Sequence, residues 1–266
     1  MTIRLGTCSW TAKGWVGAFY PSGTKQADFL PHYATRFDAV EVDSTFYATP
    51  PASTVEGWRD KTPDGFLFAA KVPQLVTHER FLEDCAEPIA GFLGTMRLLG
   101  PKLGPILFQF PYFAQRTGVT EKNFVERLVP VLKELPREEI RFAVEVRNKH
   151  WHAPRLLDAL REHGVALTLI DHPWMLAPSA MAKRELFTAP FTYIRWLGDR
   201  KGIERLTKTW GETVIDQRER LDDWVPIIEQ AAAKDIEVNG FVNNHYGGHA
   251  PDDVDHLRER LGLAPR

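Results

Sequence analysis

Several polar side chains sit at the ends of short apolar runs, where acid–base or anion-binding chemistry can be assembled. Glu41 lies in Val40-Glu41-Val42 and Glu145 in Val144-Glu145-Val146. A carboxylate placed in an apolar strand is costly to desolvate unless it is paired. Lys71, Arg147 and Arg195 close comparable runs and can converge on these carboxylates, giving either a closed ion-pair network or a site awaiting a ligand. Lys71 suits a general base, a Schiff-base amine if desolvated, or an anion contact. Glu145 and Asp171 can act as a paired acid and base or as hard ligands for a divalent cation, and salt bridges to Arg147 or Arg195 are the structural alternative. The planar fork of Arg195 suits phosphate or carboxylate. The candidate catalytic set is therefore Lys71, Glu145, Asp171 and Glu41. The candidate substrate-binding set is Arg195, Arg147, Trp10, Asp43, Thr45, Tyr47, His78, Gln109, Asn243 and Asn244.

Trp10, Trp15, Phe46, Tyr47, Trp151, Trp174, Trp196 and Tyr246 all fall near these run ends, as stacking surfaces for a sugar or base or as anchors that pack the loops. The nine histidines, His78, His150, His172, His245 and His249 among them, show no H-E-x-x-H or comparable ligand spacing, so no residue is assigned to a metal. Cys8 reads as a core residue rather than a nucleophile.

The elements that must position these groups form a repeating pattern. Apolar runs at 3–8, 39–42, 66–70, 106–110, 142–146, 166–170, 191–196 and 238–242 read as eight strands. Between the first two, Phe29, Leu30, Tyr33, Ala34 and Phe37 recur at spacings of three and four, the mark of a helix burying one face. Further helices fit 89–99, 122–135, 154–163, 217–234 and 252–261, while prolines at 173, 178 and 190 leave room for only a short helix after the sixth strand. Alternating strands and helices of this number match an α/β fold, a TIM-type (β/α)8-like parallel barrel. An open doubly wound sheet is the alternative, but no glycine-rich fingerprint follows the first strand. No linker breaks the chain, so residues 1–266 read as a single domain.

Composition narrows the setting. Hydrophobic residues make up 44% and charged residues 26% of 266, as in ordinary globular domains. The formal net charge of −2 supplies no global field for nucleic acid or an anionic membrane. Cys8 and Cys85 form no paired motif, the N-terminus lacks a signal-peptide pattern, and no apolar stretch reaches the ~18 residues of a membrane span. These features predict a cytoplasmic protein without membrane contact.

The same residues carry a resemblance. Gly6-Thr7-Cys8-Ser9-Trp10 with Trp15 and Phe19-Tyr20-Pro21, Glu41-Val42-Asp43-Ser44-Thr45-Phe46-Tyr47, Lys71-Val72-Pro73 with Thr77-His78, Gln109-Phe110-Pro111, Glu145-Val146-Arg147 with Trp151, Tyr193-Ile194-Arg195 and Phe241-Val242-Asn243-Asn244 occur in order along nearly the whole chain. In this set and order the sequence resembles the DUF72 (YecE-like) family of TIM-barrel proteins. The resemblance implies a barrel shaped like the endonuclease IV and xylose isomerase group, and by fold analogy hints at metal-dependent phosphodiester or sugar chemistry. Three positions depart from the family pattern: Asp43 where Asn is common, Leu197 where an Arg-x-His-Gly pattern would place His, and His245 where an acidic residue is common.

Three functions compete. The first is an enzyme acting on a small anionic substrate, a phosphorylated sugar or nucleotide-like molecule, at the barrel mouth. The second is a metal-dependent nuclease or repair protein, which needs a local basic groove and a divalent metal; a cation beside Arg195 would be repelled. The third is a non-catalytic barrel that binds a ligand or partner through its aromatic loops. No cofactor is predicted from the residues themselves.

Overall fold

Alternating residues of the apolar runs face two different environments, the barrel interior and the surrounding helices, and this alternation sets where each polar group goes. The computed structural model describes residues 2–264. Eight strands run parallel: β1 (Ile3–Thr7), β2 (Ala39–Val42), β3 (Leu67–Lys71), β4 (Leu103–Gln109), β5 (Phe142–Glu145), β6 (Ala166–Asp171), β7 (Phe191–Trp196) and β8 (Glu237–Val242). The helices are α1 (Phe29–Arg36), α2 (Ala52–Asp60), α3 (Ala86–Met96), α4 (Glu121–Glu134), α5 (Pro154–Glu162), α6 (Pro178–Met181), α7 (Arg200–Ile203), α8 (Arg218–Asp222), α9 (Val225–Ala233) and α10 (Ala250–Arg260). This is a TIM-type α/β barrel in one domain. Of the expected span, Met1, Pro265 and Arg266 lie outside the described residues.

Seven of the eight neighbouring pairs are hydrogen-bonded ladders, and β1 pairs with β8 over five residues, from Ile3↔Val238 to Thr7↔Val242. The β1–β2 seam is different. It carries one bridge, Cys8↔Glu41, and a side chain in place of a ladder. The Tyr33 hydroxyl accepts from the Thr7 backbone N–H at 2.8 Å and donates to the Ala39 carbonyl at 3.0 Å. Gly6 allows this approach, since a Cβ there would stand 1.9 Å from the Ala39 oxygen.

One inward-facing cluster, which includes Ala39, Leu67, Ala69, Leu107, Ala143, Ala166, Tyr193 and Phe241, fills the lower barrel. The larger core lies between the strands and the helices. Continuing two residues along the same inward phase brings Glu41, Lys71, Gln109, Glu145 and Arg195 to the carboxyl ends, where a barrel keeps its site.

Two helical expectations change. The stretch 217–234 is two helices, because Pro226 near the start of α9 fits only a helix beginning. α2 carries no clear apolar stripe, with Val55 its single fully buried residue, and so gives no periodic signal in the sequence.

Candidate functional site

Arg195, inward-facing and buried, is the centre of the upper barrel. Its Nη1 donates to Glu145 Oε2 at 2.6 Å and to Gln109 Oε1 at 3.0 Å, and its Nη2 donates to Glu41 Oε1 at 2.8 Å. Lys71 Nζ lies 3.0 Å from the same Glu41 oxygen and also bonds Asp43. Tyr193 donates to Glu41 Oε2 at 2.7 Å, and Arg147 Nε donates to Glu145 Oε1 at 2.9 Å. Burial pushes both glutamates toward the neutral acid, but Arg195 with Lys71 at Glu41, and Arg195 with Arg147 at Glu145, outweigh it and hold both carboxyls below the usual range. Burial and Arg195 press the Lys71 ammonium downward, yet Asp43 and Glu41 prevail and raise it. These groups are therefore fixed in their charged forms at neutral pH. The Cys8 thiol, raised by burial and by Glu41, stays protonated.

Above this network opens a cleft of about 390 Å3, whose lining includes Asp43, Tyr47, Lys71, Gln109, Arg147, His172, Arg195, Arg200, Asn243 and His245. Its lining carries four cationic side chains against the one carboxylate of Asp43, an excess that Glu41, Glu145 and Glu204 offset from behind the wall, and its hydrogen-bonding groups are unbalanced as well. The Gln109 oxygen is taken by Arg195, and the Asn243 oxygen accepts from the His245 backbone N–H at 2.9 Å. These contacts orient both amides and leave their NH2 groups without a protein acceptor among the described residues. Arg147 and Arg200 each engage one carboxylate through Nε, leaving their terminal nitrogens free in the same sense. His172 Nδ1 accepts from the Trp174 backbone N–H at 3.2 Å, so its neutral ring carries the proton on Nε2, another donor. The free carboxylate oxygen of the lining is the second oxygen of Asp43, since Lys71 bonds Oδ1.

The imidazoles at the mouth respond to burial and to neighbouring arginines. Burial and Arg147 lower the His78 and His172 rings, and burial and Arg200 lower His245, so all three are neutral at pH 7. His78 lies on a single π-helical turn, Leu75–Glu79, and its Nδ1 is 2.9 Å from Thr77 Oγ1.

Four expected site residues are placed away from the cleft. Asp171 has the outward phase of β6, where Arg220 binds it through two nitrogens, Trp224 Nε1 donates at 2.6 Å and Tyr246 donates at 2.9 Å. It cannot pair with Glu145 as acid and base, because it faces the helices on the far side of the barrel wall. Trp10 is buried against Trp58, 5.6 Å away edge-on, and against Phe68. Thr45 is a buried turn anchor that donates to the Val42 carbonyl and accepts the Lys71 backbone N–H at 2.9 Å. Asn244 ties loops together, accepting from Trp15 Nε1 and from the Ala250 N–H. The aromatic loops also differ from an interface: Trp15, Trp151, Trp196 and Tyr246 are buried, and Tyr47 and Trp174 are the exposed rings of the expected set. Arg200, His172 and His245 line the cleft, although sequence reasoning gave none of them a role in a site.

The donor set does not fit a divalent metal. Glu41 and Glu145 already bind Arg195, and no three His, Cys, Asp or Glu side chains assemble as ligands among the described residues.

A parallel (β/α)8 barrel with a donor-lined cleft at its carboxyl end defines the class. The chain belongs to the DUF72 family: the family model described as "Protein of unknown function DUF72" matches residues 4–266. It is 27% identical to UPF0759 protein YunF of Bacillus subtilis (strain 168), over 99% of this chain and 98% of that one. It is 30% identical to UPF0759 protein YecE of Escherichia coli (strain K12), over 64% of this chain and 59% of that protein. A DUF72 family protein of Thermotoga maritima superposes with TM-score 0.78 at 24% identity, covering 98% of this chain and 100% of the other. SacUVDE shares the barrel at TM-score 0.56 and 8% identity, over 99% and 100% of the two chains, a likeness of fold alone. No helix among the described residues is long and apolar enough to cross a membrane.

Proposed function

We propose that the cleft binds a small oxyanion-bearing molecule, a phosphorylated sugar or nucleotide-like compound, and that the barrel acts on it as an enzyme. The observation that carries this reading is the surplus of unengaged donors on Arg147, Arg200, Gln109, Asn243 and His172 around one cleft. A phosphate offers acceptors on every face and suits such a wall. Asp43, with its remaining oxygen, takes a ligand hydroxyl.

Proton transfer on the bound molecule runs through the imidazole of His172, which remains neutral at pH 7, whereas both ring nitrogens of His245 are engaged, by Asn243 Oδ1 and Glu204 Oε1. Glu41, Glu145 and Lys71, locked in their charged forms, hold Arg195 and Arg147 in place instead of moving protons. A metal-dependent nuclease is the weaker reading, since its ligands are missing from the donor set described above.

Titration calorimetry with inorganic phosphate and ribose 5-phosphate at low salt tests the proposal. Charge-assisted hydrogen bonds contribute about 1.5–3 kcal/mol, so Arg147→Ala is expected to weaken binding at least about tenfold. Arg200→Ala, which breaks only the surface pair with Glu204, should weaken it in the same direction. Absence of binding to the wild type, or unchanged affinity in both variants, overturns it.

A further inference from the structure

Beside the main cleft, and sharing Arg147, Gln109 and His172 with it, lies a second cavity of about 200 Å3. Its character is different. Pro111, Tyr112, Ile170, Trp174 and Met175 supply much of its lining. Among the described residues the large apolar side chains standing most exposed are Tyr47 at 73%, Trp174 at 68%, Leu206 at 63% and Tyr112 at 56%. Three of these four border one of the two adjoining cavities. Exposed aromatic rings gathered at the rims of adjoining cavities present apolar faces that a flat partner can cover.

Trp174 is held for such a role. The His172 ring stands against it edge-on at 5.1 Å, and the Trp174 backbone N–H is anchored on His172 Nδ1. The loop is thereby fixed while the indole remains uncovered. Arg147 separates the two cavities and reaches both, with its terminal nitrogens unengaged.

We infer that the second cavity is a subsite for a planar aromatic ring, so that the ligand is a nucleoside phosphate: the phosphate in the main cleft, the base against Trp174 and Tyr112, with Arg147 between them. This rests on the anion-binding reading of the main cleft and narrows it from sugar phosphates in general to nucleotides. Base–aromatic stacking tolerates any base, because every base has a π face, and Gln109 and His172 add polar groups at its edge.

The test compares AMP, UMP and ribose 5-phosphate by titration calorimetry, with tryptophan fluorescence followed in parallel. Both nucleotides should bind about tenfold or more tightly than ribose 5-phosphate, and they should quench fluorescence. In Trp174→Ala that advantage should disappear and the quenching diminish, while ribose 5-phosphate affinity is retained. Tyr112→Ala should reduce the advantage in part. Equal wild-type affinity for all three ligands, with binding lost in Arg147→Ala, overturns the base subsite and leaves the anion site standing. Failure of all three to bind overturns both. A nucleotide advantage that persists in the Trp174→Ala, Tyr112→Ala double variant also overturns the subsite.

Discussion

Arg195 divides its guanidinium between two carboxylates that have no exposure to water, and it alone serves both, with Lys71 the other cation at Glu41 and Arg147 the other at Glu145. Removing one member of a buried ion network leaves its counter-charges short of compensation, which costs up to about 3–5 kcal/mol. Arg195→Met is therefore expected to lower the urea midpoint strongly, whereas Arg147→Ala, at the half-exposed rim, should lower it far less. Equal losses in the two variants would show that Arg195 does not anchor the network. The need for compensation at Glu41 and Glu145 was legible in the sequence, since charges inside Val-Glu-Val runs demand partners. Asp171 reads in the sequence as a mouth residue because Ala166–Asp171 is free of charge on both faces until its last residue. The phase that separates Asp171 from Ile170 is invisible in a run buried on both faces, and only the positions of Arg220, Trp224 and Tyr246 reveal it. Arg200 was hidden for another reason: it starts a four-residue helix after β7, with no strand pattern to point at it.

The strands and the longer helices follow from periodicity, as α4 illustrates. Its buried Phe124, Val125, Leu128 and Leu132 keep helical spacing, and Thr120 and Asn123 close a capping box at its start. What no pattern announces is how β1 meets β2. One bridge and a single phenol supply the contact there, and Tyr33→Phe leaves the Thr7 N–H and the Ala39 carbonyl buried without partners. That should cost about 1–3 kcal/mol in chemical denaturation. Amide exchange at Thr7 should accelerate in the variant, and an unchanged denaturation midpoint would show that the strands re-pair directly.

The molecule as a whole should weaken in acid in two stages. Burial, with Arg184 nearby, pushes the His152 imidazole from 6.5 down to about 4. A histidine held neutral in the fold contributes stability above the unfolded value, and that stability drains away as pH falls from 6.5 toward 4. The shift corresponds to about 3 kcal/mol. Below about 4.5, Glu41 and Glu145 follow, because their folded values lie below those of the unfolded chain. Urea midpoints measured between pH 7.5 and 5 should decline in the wild type and decline distinctly less in His152→Leu, the remaining slope coming from the lowered rings of His78, His172 and His245. A wild-type profile flat over that range would remove His152 as the cause.

The uneven closure of the barrel also bears on how the chain acquires its shape during synthesis. β1 finds its ladder partner in β8, more than two hundred residues downstream, and only a bridge and a phenol on the side of β2. Contacts between such distant segments form late, because loop-closure entropy must be overcome before they bring any return. The first strand of the barrel to be synthesised is thus among the last to be locked. Until Val238 to Val242 emerge, one edge of the nascent sheet stays open, and that interval is when the chain most needs protection from other unfinished copies.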